Sequence, residues 1–200
     1  MAEAAQTLNV PVFSSHASGV PPTTWRSWTD APLAFMAYLN KYGRVETKEL
    51  VLEAQDAGYS AVGLTIDALL AKEQDFSRAS ADPASTPASD AAWLERTSKI
   101  RSATRSPARQ EDIEWMKSFA TLPVIVKGVM GAEDARLAVE AGADAVVVSN
   151  HGARYLDSGQ SSLELLPEIV DTVGGSAQVF FDGGIRSGAD VAKALALGAN

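Results

Sequence analysis

Short apolar runs in the chain alternate with segments whose apolar residues recur every three or four positions. Nearly continuous apolar runs predict strands buried on both faces, and the three-to-four spacing predicts helices. The predicted strands span Val10–Ser15, Ala31–Leu39, Ser60–Asp67, Leu122–Val129, Asp144–Gly152 and Ala177–Gly184. The predicted helices cover Val45 to Ala57, which Gly58 ends, and then Glu111–Ala120, Ala132–Ala141, Leu163–Val173 and Gly188–Leu197. Such alternation is typical of a parallel α/β fold.

Residues 76–110 break this regularity. They are rich in Ser, Ala, Pro and Arg and include the string ADPASTPAS. This composition predicts a long, variable, solvent-exposed loop, in which Trp93 and Ile100 indicate a short helix. The rest of the chain forms one pattern, so we expect a single domain over residues 1–200.

Polar residues at the strand ends decide between a (β/α) barrel and a doubly wound sheet, since the alternation alone fits both. In a barrel the carboxyl ends of the strands form one mouth where catalytic groups gather, whereas an open sheet spreads them along an edge. No G-x-G-x-x-G fingerprint follows the first strand, which also argues against a dinucleotide-binding sheet. The polar strand-end residues are Thr65, Asp67, Lys127, Ser149, Asn150, His151 and Asp182. The sequence therefore favours a TIM-type barrel.

Composition narrows the function classes. The net charge of −8 and the pI of about 4.8 argue against nucleic acid and anionic membrane surfaces as partners. The absence of cysteine excludes disulfides, thiolate zinc sites and cysteine nucleophiles, and two histidines argue against a multi-histidine site, so we expect no metal. No apolar run reaches the ~18 residues of a membrane span. The first residues lack a basic segment followed by an apolar stretch, so we expect a cytoplasmic protein, with the peroxisome and the mitochondrion left open.

The segment SNHGARYLDSG, residues 149–159, carries the most specific chemistry. A histidine at a strand end can take a proton at neutral pH, and an arginine three residues later can hold a carboxylate through two hydrogen bonds. The alternative is a structural histidine at the strand end, with Arg154 paired to Asp157. A lysine at the end of a neighbouring strand shifts the balance toward a functional pair.

Two further segments supply positive charge and flexible backbone. Lys127 ends the strand VIVKG, where it either faces the mouth as a fixed cation or lies on the surface just past the strand. The string FFDGGIRSGADVAK resembles a phosphate-binding strand, loop and helix, because its glycines let backbone amides approach an anion. The alternative is a glycine-rich turn with Asp190 near the helix start.

Taken together and in this order along the chain, VIVKGV, SNHG-x-R and DGGIRSG make the chain resemble the FMN-dependent α-hydroxy-acid oxidase/dehydrogenase family, the family of glycolate oxidase and L-lactate dehydrogenase. The resemblance runs from about Val10 to Asn200 and is weakest over residues 76–110. It implies a (β/α)8 TIM barrel with FMN as the cofactor. It also implies an enzyme that oxidises an L-2-hydroxy acid to the 2-oxo acid.

The resemblance also assigns roles. His151 is implied as the base that takes the substrate proton, with Asp67 orienting it and stabilising its cation. Lys127 would lie beside the flavin and stabilise negative charge on its reduced form, and Arg154 would bind the substrate carboxylate. Tyr38 would contact substrate and flavin. The other implied flavin-binding residues are Ser14, Thr65, Ser149, Asp182, Gly184 and Arg186.

This sequence departs from the family pattern in several places. Met36 replaces the usual glutamine two residues before the tyrosine, which removes a flavin hydrogen bond, and Ala153 replaces the second glycine of the histidine motif, a small change. A second substrate-binding arginine is absent from LLAKEQD, with Lys72 as the nearest substitute. His16 takes a position that often lines the substrate pocket. These departures predict an unusual hydroxy-acid substrate.

Counting strands against the family yields equivalents of the second through seventh only. We therefore expect a barrel without its first and eighth strands, which leaves two unpaired edges. This expectation motivates a rival interpretation, a catalytically inactive relic or interaction module of the same fold. A third interpretation is a phosphate-binding barrel of another chemistry, such as a nucleotide dehydrogenase. That chemistry usually relies on a cysteine, and this chain has none. The electron acceptor stays open, and a homo-oligomer is the expected assembly by resemblance.

Overall fold

The computed structural model describes residues 2–39, 44–67, 91–93, 95–97, 108–153, 155 and 159–200. The predictions for Arg154, for Lys72 and for most of the loop over 76–110 lie outside the described residues. Within that loop, residues 91–93 and 95–97 are helical, which agrees with the short helix predicted there.

Six strands and seven helices longer than one turn have defined bounds in the described residues. The strands are β1 Val12–Ser15, β2 Leu33–Tyr38, β3 Ala61–Thr65, β4 Val124–Val129, β5 Ala145–Val148 and β6 Gln178–Phe181. The helices are α1 Ala2–Leu8, α2 Pro22–Trp28, α3 Arg44–Asp56, α4 Gln110–Lys117, α5 Ala132–Glu140, α6 Ser162–Val173 and α7 Gly188–Ala196. Single 3₁₀ turns follow β1 at His16–Ser18 and β5 at His151–Ala153.

The six strands form one parallel sheet in the order β1-β2-β3-β4-β5-β6. A doubly wound sheet reverses its strand order at a switch point, and this sheet does not, so the barrel prediction is confirmed. The Phe13 and Phe180 rings, on β1 and β6, lie 5.9 Å apart. In a flat sheet these strands would be about 24 Å apart, at ~4.8 Å per strand. The sheet is therefore strongly curled.

Curling produces two separate cores. The larger core lies between the outer face of the sheet and the helices, and fully buried residues such as Leu33, Val126 and Leu166 belong to it. The smaller core fills the inside of the curl with Ala34, Met36, Ile125, Ala145 and Val147, against which Phe13, Ala61 and Phe180 pack. Because both faces of the strands are buried, the strands read as the continuous apolar runs from which they were predicted.

Helix α2 was not predicted from the sequence. It begins at Pro22, a residue suited to the first helical position because its missing N–H would have no partner there. Arg26 anchors it by donating to the carbonyl oxygens of Thr29, Ala31 at 2.8 Å and Gly58 at 3.3 Å. Its seven residues include only two large apolar side chains, Trp25 and Trp28, which are too few for the sequence periodicity to indicate a helix.

Asp144 joins three elements on the side of the sheet opposite the strand ends. Its Oδ2 accepts hydrogen bonds from the Val124 backbone N–H at 2.7 Å and from Lys117 Nζ at 2.8 Å. Burial acts to raise the pKa of Asp144, but these hydrogen bonds and the positive charge of Lys117 together outweigh it and hold that pKa below its usual value. The contact fixes α4 against the start of β4 and β5.

The described residues supply six strands, two fewer than a complete (β/α)8 barrel, and β1 and β6 each pair with a single strand among them. Within the same residues, no helix is both long and apolar enough to cross a bilayer.

Candidate active site at the strand ends

Strand parity determines which polar side chains face the inside of the curl. Side chains alternate between the two faces of a strand, so a residue two positions after an inner-core residue also faces inward. Phe13, Met36, Ile125, Val147 and Phe180 belong to or pack on the inner core. Two positions later come Ser15, Tyr38, Lys127, Ser149 and Asp182, and Thr65 stands in register with both Tyr38 and Lys127. A ring of polar groups therefore caps the inner core.

A cavity of about 480 Å³ opens above this ring, and we call it the strand-end cavity. Its lining includes the predicted residues Ser14, Tyr38, Thr65, Lys127, His151 and Asp182. It also includes Phe13, Ser15, Ser18, Trp25, Met36, Gly152 and Gly183, most of which the sequence did not single out. Phe13 and Ser15 could have been found by applying the strand alternation to β1.

Lys127 is held in the middle of the ring. Its side chain is only 14% exposed, and its Nζ donates to Ser149 Oγ at 2.6 Å and pairs with Asp182 Oδ2 at 2.8 Å. These contacts connect the ends of β4, β5 and β6. Lys127 therefore presents a fixed cation to the strand-end cavity and is not a surface lysine.

His151 and Asp67 form a second polar pair at the same end of the barrel. His151 Nδ1 lies 2.6 Å from Asp67 Oδ2, and their side chains are 7% and 18% exposed. A carboxylate only accepts hydrogen bonds, so this contact favours a proton on Nδ1. The Tyr155 ring packs edge-on against the imidazole with centroids 5.2 Å apart. The two residues that the resemblance paired are therefore in direct contact.

The turn that carries His151 has an uncommon backbone. His151, Gly152 and Ala153 have φ values of 54°, 66° and 58°, all in the left-handed region. Asn150 stabilises the turn, because its Oδ1 accepts from the Gly152 N–H at 3.0 Å and the Ala153 N–H at 3.3 Å. Strained non-glycine residues of this kind cluster at functional sites, where the surrounding structure holds them.

Two predicted residues occupy places other than those that the resemblance suggested. Ser14 borders the strand-end cavity, but its Oγ contacts Tyr59 Oη at 3.0 Å in the outer layer, so Ser15 is the inward-facing serine of β1. Burial raises the pKa of Tyr59, so this phenol stays protonated at neutral pH. His16 is absent from the cavity lining, being 2% exposed behind Tyr38, with the two rings at 88° and 5.1 Å.

The glycine-rich loop after β6 combines left-handed backbone with a capped helix. Gly183 and Gly184 have φ values of 104° and 73°, and Ser187 Oγ accepts from the Asp190 N–H at the start of α7. Gly184 lines a neighbouring cavity of about 380 Å³ that shares Gly152 and Gly183 with the strand-end cavity. Arg186 is exposed and its backbone N–H donates to Asp190 Oδ2 at 3.2 Å. The structure thus brings Gly184 close to the cavity, whereas Arg186 does not line either one.

Comparison with known proteins agrees with this geometry. The profile of the family described as FMN-dependent dehydrogenase matches residues 1–200. The chain belongs to this family. Glycolate oxidase 3 of Arabidopsis thaliana is 41% identical over 165 residues, which are 76% of this chain and 45% of the relative. L-lactate oxidase of Nostoc sp. is 40% identical over 180 residues, which are 82% of this chain and 49% of the relative.

Solved structures of this FMN-dependent family share the fold. The crystal structure of mandelate oxidase superposes with a TM-score of 0.78 at 34% identity, covering 99% of this chain and 57% of that protein. The chain thus spans about half the length of the curated relatives it matches.

Among the described residues, no group of three or more acidic or histidine side chains is arranged to hold a metal ion.

Proposed function

We propose that this chain acts as an FMN-dependent oxidoreductase that oxidises an L-2-hydroxy acid to the 2-oxo acid at the strand-end cavity. The observation that carries the proposal is that one cavity brings together a carboxylate-anchored histidine and a nearly buried lysine. Family membership supports the same chemistry, since the relatives include enzymes named for the oxidation of glycolate, lactate and mandelate.

The residues present fit FMN by their chemistry. The cavity volume lies in the ~300–1,000 Å³ range of ligand sites, and its polar lining combines hydroxyls, the Lys127 cation, the His151 imidazole and the Asp182 carboxylate above an apolar floor. The hydroxyls of Ser15 and Thr65 suit the polar edge of a flavin, and the Lys127 cation suits an electron-rich part of it. Ser149 is fully buried outside the cavity lining, so it would act on the flavin through its hydrogen bond with Lys127. Asp182, Gly184 and Arg186 would hold the ribityl chain and phosphate, and Ser14, at the border of the cavity, would also contact the flavin. When bound, FMN would supply the acceptor for two electrons.

On the substrate side, His151 acts as the base. Because Nδ1 contacts Asp67, Nε2 is the ring nitrogen that would take the substrate proton, whether that proton comes from the hydroxyl or from the carbon. The Asp67 carboxylate would then stabilise the imidazolium, as a buried carboxylate does beside a catalytic histidine. Tyr38 would contact substrate, and Arg154 would hold the substrate carboxylate through two hydrogen bonds.

The test is a visible absorbance spectrum of purified protein after incubation with FMN and removal of excess, followed by anaerobic addition of L- and D-2-hydroxy acids. We expect retained flavin that bleaches with at least one L acid and not with its D enantiomer. Protein that retains no flavin, or flavin that no hydroxy acid bleaches, would refute the proposal.

Reoxidation of the bleached flavin separates an oxidase from a dehydrogenase. Rapid recovery of colour on admitting oxygen defines an oxidase, whereas recovery only with a dye or quinone defines a dehydrogenase. The homo-oligomeric assembly and the cytoplasmic location stay predictions, which sedimentation and cell fractionation test.

A further inference from the structure

Strand β4 contains a bulge immediately after Lys127. Lys127 pairs with Val147 and Val129 pairs with Val148, which leaves Gly128 as the extra residue. Strand parity would place Val129 on the inner face with Lys127, but because of this extra residue Val129 is fully buried in the outer core. Bulges beside active sites commonly re-aim side chains in this way.

The space at Gly128 belongs to Asp67. The Ile66 N–H donates to the Lys127 carbonyl oxygen at 2.9 Å, so the chain leaving β3 continues alongside β4 and brings Asp67 against Gly128. A Cβ on Gly128 would overlap the carboxyl carbon and Oδ1 of Asp67 and would lie 2.7 Å from its Cβ. Asp67 can hold its present position only because residue 128 has no side chain.

Asp67 is closely packed at this position. Its Oδ1 is buried and accepts no hydrogen bond from the described residues, whereas its Oδ2 contacts His151 Nδ1 at 2.6 Å. The carboxylate already packs against Gly128 on its β4 side, so it cannot move toward β4, and its other oxygen is held by the contact with His151. Pushing it away from β4 would alter the His151 contact directly.

We propose that Gly128 is a positioning residue that sets the Asp67–His151 contact and thereby fixes the proton of His151 on Nδ1. The catalytic consequence rests on the proposed function, in which Nε2 of His151 takes the substrate proton. The positioning itself is a property of the protein alone. Gly128 also has a left-handed φ of 100°, a conformation that favours glycine whatever its surroundings. The test must therefore separate the collision with Asp67 from backbone strain.

The first experiment compares Gly128→Ala with Gly131→Ala. Gly131 is a matched control, because its φ is −163° and an added Cβ would meet its nearest atom, Asp134 Oδ2, at an ordinary 3.6 Å. The readout is the imidazole ¹⁵N NMR spectrum, which reports which nitrogen carries the proton and contains signals from only two histidines. We expect an Nδ1-protonated His151 in wild type and Gly131→Ala, and loss of that signature in Gly128→Ala with the His16 signals unchanged. An unaltered His151 spectrum in Gly128→Ala would overturn the proposal.

The second experiment measures the free energy of unfolding of Gly128→Ala in the wild-type and Asp67→Gly backgrounds. Asp67→Gly removes the Cβ, the carboxyl carbon and Oδ1 that the added Cβ would meet, so only the φ strain remains and the added alanine should cost clearly less stability. If Gly128→Ala does not fold but the double variant does, the proposal is supported. An equal loss in both backgrounds would show that the glycine serves the backbone alone and would overturn it.

In FMN-loaded protein, we expect Gly128→Ala to slow flavin reduction by about 100-fold, since a misplacement near 1 Å costs about that much. Its FMN affinity should match that of Gly131→Ala. Failure of every protein to bind or reduce flavin would refute the proposed function, but the NMR and unfolding results would still decide the role of Gly128.

Discussion

The residues around His151 carry backbone strain that a glycine would relieve. Three consecutive residues lie in the left-handed region, and two of them, His151 and Ala153, have a Cβ. From the sequence, alanine in place of the family's second glycine looks like a small change. The φ of 58° at Ala153 gives that change an energetic cost, because an L side chain in this region crowds the following carbonyl oxygen.

We therefore expect Ala153→Gly to stabilise the protein. Relief of ~1–2 kcal/mol of steric strain, less ~0.5–1 kcal/mol of extra chain entropy, predicts a gain of about 0.5–1 kcal/mol in the free energy of unfolding. Urea denaturation measures it. Gly152→Ala is the reverse substitution at the neighbouring position. Its added Cβ has no atom within 4 Å, so only backbone strain should act, and its free energy of unfolding should fall by a similar amount. A destabilised Ala153→Gly would contradict this account of the turn.

At the scale of elements, all six strands were predicted to within a few residues because each is an apolar run buried on both faces. Helix α2 was missed because Arg26 holds it in place by donating to carbonyl groups. Such side-chain-to-backbone hydrogen bonds produce no periodic pattern of apolar residues in the sequence. The strand-end positions of Lys127 and His151 also followed from sequence. The Lys127–Asp182 ion pair and the fit of Asp67 against Gly128 could not be predicted, because they depend on register between residues 55 and 61 positions apart.

Asp144 provides the test of how these elements are held together. Asp144→Asn removes the charge that binds Lys117 and weakens the bond to the Val124 N–H, and its partial exposure limits the expected loss to about 1 kcal/mol. Because the folded pKa is lowered, this stabilisation is present above the unfolded value of ~3.9 and is lost as the pH falls through the folded value. As the pH falls from about 5 to about 2, the wild type should therefore lose more stability than Asp144→Asn.

Urea unfolding at a series of pH values measures this difference. Asp171→Asn, an exposed position on α6, is the control and should follow the wild-type profile. Parallel profiles for wild type and Asp144→Asn would rule out the linking role of Asp144.

At the scale of the whole molecule, the curl of the sheet creates the site. Six parallel strands bring Phe13 and Phe180 into contact across the interior, and the polar ring above them, apart from the buried Ser149, lines one cavity. The ring is drawn from all six strands, so a ligand in the cavity would connect elements that are distant in the sequence. Binding there should consequently stabilise the entire fold.

We expect FMN at a hundredfold excess over its Kd to stabilise the protein by ~2.7 kcal/mol and to raise its Tm by about 5–10 °C. Lys127→Met should reduce this shift, because it removes the cation from the cavity. Lys48→Met removes the same charge from the outer surface on α3, where Lys48 lies over the Phe119 ring, and should keep the shift. Thermal unfolding followed by circular dichroism checks all three, and equal shifts in both variants would contradict the assigned position of the cofactor.

The most direct test of the central claim is the rate of anaerobic flavin reduction by an active L-2-hydroxy acid in wild type and His151→Gln, both loaded with FMN. If His151 is the base, the rate should fall by about 10²–10⁴-fold, the usual contribution of a general base, while FMN affinity changes by less than about threefold. A His151→Gln protein that reduces its flavin at the wild-type rate would contradict the account.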